Sequence, residues 1–387
     1  MSWPSEPLSS LTLKIGSGST PRGGDSVYIS EGTALIRSQN VYNNEFFMDG
    51  LAYIDEKTAE KMKGVTVEKD DVLVNITGDS VARCCVVHDA VLPARVNQHV
   101  AILRTNSKKL LPHFLAFYMV SPHMQAKLLS WAGTGGTRKA LTKGMLERVE
   151  IPLPPIDVQD KVVEKIRAYN DLIENNRRRI QLLEESARLL YQEWFVHLRF
   201  PGHEQVRIID GVPEGWSIKR VDSLLGKVAK KKKIKKEEYL EDGVVPCVDQ
   251  SQEFIGGYID DEEAAITENL PVVVFGDHTR IVKFIDFPFA PGADGTQLLV
   301  PNDEEIPRDF FYFMISSINV ANAFYARHFK FLKAKDVLVP EKKLMHEFSL
   351  VVKDNMLQIK LLRNQNRSLA KARDLLLPKL MSGELTV

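Results

Sequence analysis

Six of the seven positions in Lys230-Lys231-Lys232-Lys233-Ile234-Lys235-Lys236 are lysine. A run of this kind meets a polyanion or stays solvated. The chain's 51 Lys and Arg cancel its 51 Asp and Glu, so polyanion binding must come from local patches and not from a global field. Residues for catalysis do not assemble. Cys84, Cys85 and Cys247 form no paired Cys/His metal spacing, and vicinal Cys84-Cys85 on a strand would point to opposite faces. Glu341-Lys342-Lys343 is the nearest Glu-x-Lys, and Asp336 lies too close upstream for a two-strand nuclease site. The Asn/Asp-Pro-Pro-aromatic motif and Gly-rich cofactor loop that a self-contained methyltransferase would need are absent, and Pro154-Pro155, the one Pro-Pro pair, lies on a linker. Three cysteines build no disulfide framework, which fits a reducing cytoplasm, and no apolar run reaches membrane-spanning length.

Two stretches must position whatever the chain binds. After Ile151-Pro152-Leu153-Pro154-Pro155, apolar residues recur at Val162, Ile166, Tyr169, Ile173, Ile180, Leu183, Ala187, Leu190 and Trp194, with Asn176 on the seam. Steps of 4 and 3 predict one heptad helix of about 40 residues. From Met345 to Leu380 the seam returns as Phe348, Val352, Asn355, Ile359, Leu362, Asn366, Leu369, Arg373, Leu376 and Leu380, with Pro378 and Gly383 expected to stop it. A narrow apolar stripe needs a partner, so the two helices are expected to pair within the chain as a coiled coil.

The remainder reads as mixed strand and helix, and it repeats. Val72-Leu73-Val74-Asn75-Ile76-Thr77-Gly78-Asp79 returns as Val272-Val273-Val274-Phe275-Gly276-Asp277, aligning Asp79 with Asp277. Asn97-Gln98-His99-Val100 returns as Thr296-Gln297-Leu298-Leu299, and Pro112-His113-Phe114 as Pro307-Arg308-Asp309-Phe310. Leu110 to Leu129 reads as one helix with Pro112 in its first turn. The expected fold class is α+β: two repeated mixed globular domains (residues 1–152 and 200–340), separated by two long helical segments (153–199 and 341–387) packed as an antiparallel coiled coil. Antiparallel packing would relate the domains by a half-turn, matching the dyad of duplex DNA, where dimeric readers occupy separated half-sites.

The Leu153-Pro154-Pro155-Ile156-Asp157-Val158-Gln159-Asp160 stretch, the helix ending Tyr191-Gln192-Glu193-Trp194-Phe195, and the closing Leu375-Leu376-Leu377-Pro378-Lys379-Leu380-Met381-Ser382-Gly383-Glu384-Leu385 resemble the specificity subunits of type I restriction–modification enzymes. The resemblance covers nearly the whole chain. It implies a non-catalytic subunit with two target recognition domains, each reading half of a bipartite, asymmetric DNA target, and with spacer helices that set the gap. It implies two copies of a methyltransferase subunit using S-adenosylmethionine, and restriction subunits (with ATP and Mg) in the full complex. No cofactor is expected in this chain itself.

Phosphate contacts position such a protein and base-edge contacts specify the sequence, so Lys and Arg beside Asn, Gln, Ser or Thr in loops are the candidates. In the first domain these are Arg22, Arg37, Ser38, Gln39, Asn40, Thr77, Arg83, Asn97, Gln98, Thr137, Arg138 and Lys139. The second offers the six lysines of the run (230–233, 235 and 236) with Gln250, Ser251, His278, Thr279, Arg280, Gln297, Arg327, His328, Lys330 and Lys333. The lysine run stands where the first domain has its Gly16–Gly24 loop, which favours phosphate binding. Leu189, Tyr191, Trp194 and Phe195 are the candidates for docking a partner subunit, with packing against the following domain as the equal alternative. The aromatic sets Phe114-Phe117-Tyr118 and Phe310-Phe311-Tyr312-Phe313 are expected in the core rather than as a base-stacking platform. A coiled-coil adaptor that binds only proteins is the rival to DNA readout.

Overall fold

The computed structural model describes residues 3–133, 139–320 and 327–385. It divides into two compact units, residues 1–176 with 364–387, and residues 177–363. The first long helix, Ile156–Tyr191, therefore belongs to the first unit up to Asn176 and to the second from Arg177. The second long helix, Lys342–Ser382, belongs to the second unit up to Arg363 and to the first from Asn364.

In the first unit an antiparallel sheet runs in the order Thr12–Ser17, Val100–Thr105, Val72–Asn75, Cys84–Val86. A second sheet places Thr33–Ile36 parallel to Ala94–Val96. Alternation along Val72–Asn75 gives each sheet face its own core. Val72, Val74 and Cys84 pack with Phe114, Phe117, Leu128, Val162, Ile166, Leu377 and Leu380, whereas Leu73 and Cys85 pack with Ile36, Val96 and Ile102. The vicinal cysteines thus face opposite ways, as the strand period requires. The two helices run antiparallel here: Arg373 Nη1 donates to Asn170 Oδ1 at 2.8 Å, and Asn176 Nδ2 donates to Gln365 Oε1 at 3.1 Å and Asn366 Oδ1 at 2.9 Å. Asn176 and Asn366, which interrupt the two seams, pair with one another, and Arg373 of the second seam meets Asn170 beside the first, which penalises any other register.

In the second unit Val272–Gly276 lies between Val282–Ile285 and Thr296–Leu299, and Val245–Val248 runs parallel to Ala290–Pro291. The helices again run antiparallel, since Glu184 pairs with Arg363 at 2.6 Å while Tyr191, farther along the first helix, meets Phe348, earlier on the second, at 5.8 Å between ring centroids. Phe310, Phe311 and Phe313 are buried in this unit's core, as Phe114 and Phe117 are in the first.

Two expectations are corrected. The stretch from Leu110 to Leu129 is two helices, Pro112–Met119 and Pro122–Gly133, because Pro122 cannot donate to the preceding turn. Pro378 does not stop the second long helix, which continues through it to Ser382. Gly383 ends it, with a left-handed φ of 75°, as the Leu385 N–H returns to the Lys379 carbonyl at 3.1 Å.

Candidate nucleic-acid interface

The turn after Val72–Asn75 is closed by the Ala82 N–H on the Asn75 carbonyl (2.8 Å), with Ala82 at φ 71°. It projects Thr77 to Ser80 into a cleft of about 730 Å³ that is also lined by Ser38, Gln39, Tyr42, Arg83, His99, Lys139 and Ala140. Five candidates from well-separated stretches therefore come together: Ser38, Gln39, Thr77, Arg83 and Lys139. The Arg83 guanidinium lies over the Tyr42 ring at 4.4 Å, and that ring meets Phe47 at 4.6 Å. Thr77 Oγ1 and His99 Nδ1 are 2.6 Å apart. Gln39 Nε2 and Arg37 Nη2 both donate to the Gly50 carbonyl, at 3.0 and 2.7 Å. Two cations, one carboxylate, hydroxyls and an amide on an open wall suit phosphate contact and base-edge hydrogen bonding together. Tyr42, Asp79, Ser80 and His99 belong to the cleft as well. A search for cations beside amides passes over them, and only the fold brings them in.

Two candidates in this unit are corrected. Asn40 is wholly buried: its Oδ1 accepts from the Arg37 N–H and its Nδ2 donates to the carbonyls of Phe47 and Asp49. Asn97 is buried with its Oδ1 on the His99 N–H. Both build turns behind the cleft. Gln98 is exposed beside His99, and Arg22 is exposed on the loop before the Thr33–Ile36 strand, but neither lines the cleft. Thr137 and Arg138 lie outside the described residues.

Hydrogen bonds align the two units position by position. Asn97 donates to Ile36 O as Gly292 donates to Val248 O, and Ala82 to Asn75 O as Arg280 to Gly276 O. Leu141 donates to Ile76 O as His328 to Asp277 O. Gln250 and Ser251 thus stand where Ser38 and Gln39 stand. The same bonds place Ile76, not Asp79, opposite Asp277, and the β register sets Ala101 opposite Gln297. The expected Asp79–Asp277 match fails because the turn after the strand is longer in the first unit, and the expected Gln98–Gln297 match fails because the segment from Gly292 to Gln297 is one residue longer than that from Asn97 to Ala101.

Around Gln250 the second unit gathers His278, whose N–H donates to Gln250 Oε1 at 2.9 Å, and Thr279, whose Oγ1 donates to Gln250 O at 2.7 Å. Ser251 Oγ donates to Asp249 Oδ1 at 2.5 Å. Arg280, at φ 63°, sends its Nη1 to Val320 O instead (3.1 Å). Gln297 lies half-buried on the Thr296–Leu299 strand. Ile234 pins the lysine run: it is buried, and its N–H donates to Pro291 O as that of Ser19 donates to Val96 O. The run therefore does occupy the place of the Gly16–Gly24 loop. Lys231 and Lys233 reach the carbonyls of Glu263 and Thr296, Lys232 pairs with Glu238 at 3.3 Å, and Lys230, Lys235 and Lys236 are exposed. Arg327 and Lys330 are exposed, and Lys333 lies over the Phe329 ring at 5.1 Å. His328 is corrected: it is buried, with Nδ1 2.9 Å from the Asp277 carbonyl.

The docking candidates are corrected too. Beyond Tyr191 the helix widens, with the His197 N–H on Gln192 O at 2.8 Å. Tyr191 and Phe195 are buried among Phe310, Phe313 and Phe348, and Trp194 packs edge-on to Phe348. Leu189 alone of the four is exposed. Among the described residues no cluster of three or more His, Cys, Asp or Glu is placed to hold a metal, and no helix is long and apolar enough to cross a membrane.

Comparison with known proteins agrees with this architecture. Residues 15–185 match the family described as Type I restriction modification DNA specificity domain. The Type I restriction enzyme MjaIX specificity subunit of Methanocaldococcus jannaschii is 24% identical over 299 residues, covering 70% of this chain and 68% of that one. The Type I restriction enzyme EcoBI specificity subunit of Escherichia coli is 30% identical over 149 residues, 38% of this chain and 31% of that one. The crystal structure of a type I restriction–modification S subunit from M. genitalium shares the fold, with a TM-score of 0.53 at 16% identity, over 98% of this chain and 96% of that one. Residues 15–185 thus carry the type I restriction modification DNA specificity domain, and the chain as a whole is similar to type I restriction–modification specificity subunits.

Proposed function

We propose that this chain is a non-catalytic specificity subunit that reads a bipartite, asymmetric duplex DNA target, one word by each unit. The observation that carries the proposal is the recurrence of one reading position in both units. Ser38 and Gln39 face an open cationic cleft, and Gln250 and Ser251 stand at the matching place beside His278 and Thr279. The side chains differ at each matched position, so the two words differ. The paired helices that join the readers set the gap between the words.

Chemistry falls to partners: two methyltransferase subunits that bind S-adenosylmethionine, joined in the full complex by restriction subunits that use ATP and Mg, all in the cytoplasm. An apolar stripe supports docking. Leu350, Leu357 and Leu361 recur at helical spacing on the second long helix, each more than half exposed, and Leu182 and Leu189 are exposed on the first.

Mapping methylated adenines in cells that carry this chain and its methyltransferase partner tests the proposal. Methylation is expected at two short words a constant distance apart, and to vanish when this chain is deleted. Methylation that persists without the chain, or modification of DNA by the purified chain alone, contradicts it.

A further inference from the structure

The stretches that present the reading side chains are held from behind by two different residues. In the first unit, buried Asn75 donates from Nδ2 to Ser38 O at 2.8 Å and to Val41 O at 3.3 Å, bracketing the stretch that carries Gln39. The matched position in the second unit is Gly276, where no side chain fits: a Cβ would lie 2.2 Å from Thr279 Oγ1 and 2.9 Å from Gln250 Cβ. The donor comes instead from the neighbouring strand. Lys283, paired with Val274 and buried, donates from Nζ to Asp249 O at 2.8 Å and to Glu253 O, the carbonyls that bracket Gln250 and Ser251. By the same alignment Glu253 matches Val41. The first unit's counterpart of Lys283 is Cys85, buried and apolar.

An ammonium so deep is costly unless its N–H groups are used. Burial pushes Lys283 down to about 8, while Asp249, whose carboxylate lies 3.9 Å away, and Glu253 favour its charge. It is therefore protonated at neutral pH and donates to both carbonyls. Arg177, Glu184 and Arg363 line the same cavity of about 410 Å³, but the hydrogen bonds of Lys283 go to the 249–253 backbone.

We propose that Asn75 and Lys283 are the positioning residues of the two reading stretches, each fixing the backbone at both ends of its own stretch, so that each governs discrimination at one word only. This rests on the two-word function proposed above, and selection of duplexes from a random library by the full chain, assembled with its methyltransferase partner, separates the two. If the wild type selects no words, that function fails. If it selects two, Lys283→Met is expected to blunt discrimination at one word about tenfold, the equivalent of one or two broken hydrogen bonds, and to leave the other intact. Asn75→Ala is expected to blunt the other word. Lys283→Gln, which keeps N–H donors without the charge, is expected to recover discrimination, and a purely space-filling role would not produce that. Two sharp words in Lys283→Met, equal loss at both words, both variants acting on the same word, or no recovery with Lys283→Gln would each overturn the proposal.

Discussion

Replacing Phe348 with alanine is expected to destabilise the protein by about 3–5 kcal/mol, the usual effect of emptying a large aromatic site in a core that cannot collapse. The ring is fully buried and meets Phe195 at 5.3 Å, Phe313 at 5.7 Å, Tyr191 at 5.8 Å, Trp194 at 6.0 Å and Phe310 at 6.2 Å, mostly edge to face. It joins the second long helix to the end of the first, so its removal strikes both helices and the Arg308–Ser317 helix together. Chemical denaturation of the variant measures the effect. A change below about 1 kcal/mol, the range of ordinary surface substitutions, would mean that these aromatics do not form a single core. Leu189→Ala supplies the contrast: it is expected to leave stability nearly unchanged and to weaken only the assembly with the partner.

Glutamine at Lys230, Lys235 and Lys236 is expected to lower DNA affinity and to flatten its dependence on salt, without altering the preferred words. Every phosphate that is no longer neutralised should reduce the slope of log affinity against log salt by about 0.9. These three lysines are exposed, whereas Lys231, Lys232 and Lys233 already engage the protein. Ile234 must be kept, because its burial seats the loop. Measuring affinity at several salt concentrations decides the matter. An unchanged slope with altered word preference would move these residues from phosphate contact to base readout.

The long helices are legible in the sequence because a heptad is a periodic signal, and their polar interruptions are satisfied across the pair: Asn176 meets Asn366, and Arg373 meets Asn170 beside the seam. Pro378 misleads because a proline signal is local, whereas packing of Leu376, Leu377 and Leu380 against the first unit's core carries the helix onward. The repeat is visible, but identical letters misplace its register. Asp79 and Asp277 share a residue type, yet the backbone pairs Ile76 with Asp277 across turns of unequal length. Ser38, Gln39, Gln250 and Ser251 can be singled out by type, while their equivalence requires the strand pairing. Asn75 and Lys283 give no signal at all, since a polar side chain at a strand position reads as solvent-facing and only the fold buries these two. Asn40 and His328 mislead for the opposite reason: residue types that read bases also satisfy buried turns.

The central claim is that one chain holds two separate readers of duplex DNA. Selecting duplexes from a random library with the full chain and its methyltransferase partner, then sequencing what is bound, tests it most directly. Two short, different words at one constant gap are the expected result. Enrichment of a single unbroken word, of two words at variable distances, or of nothing would contradict the claim, and the last outcome would favour an adaptor that binds only proteins.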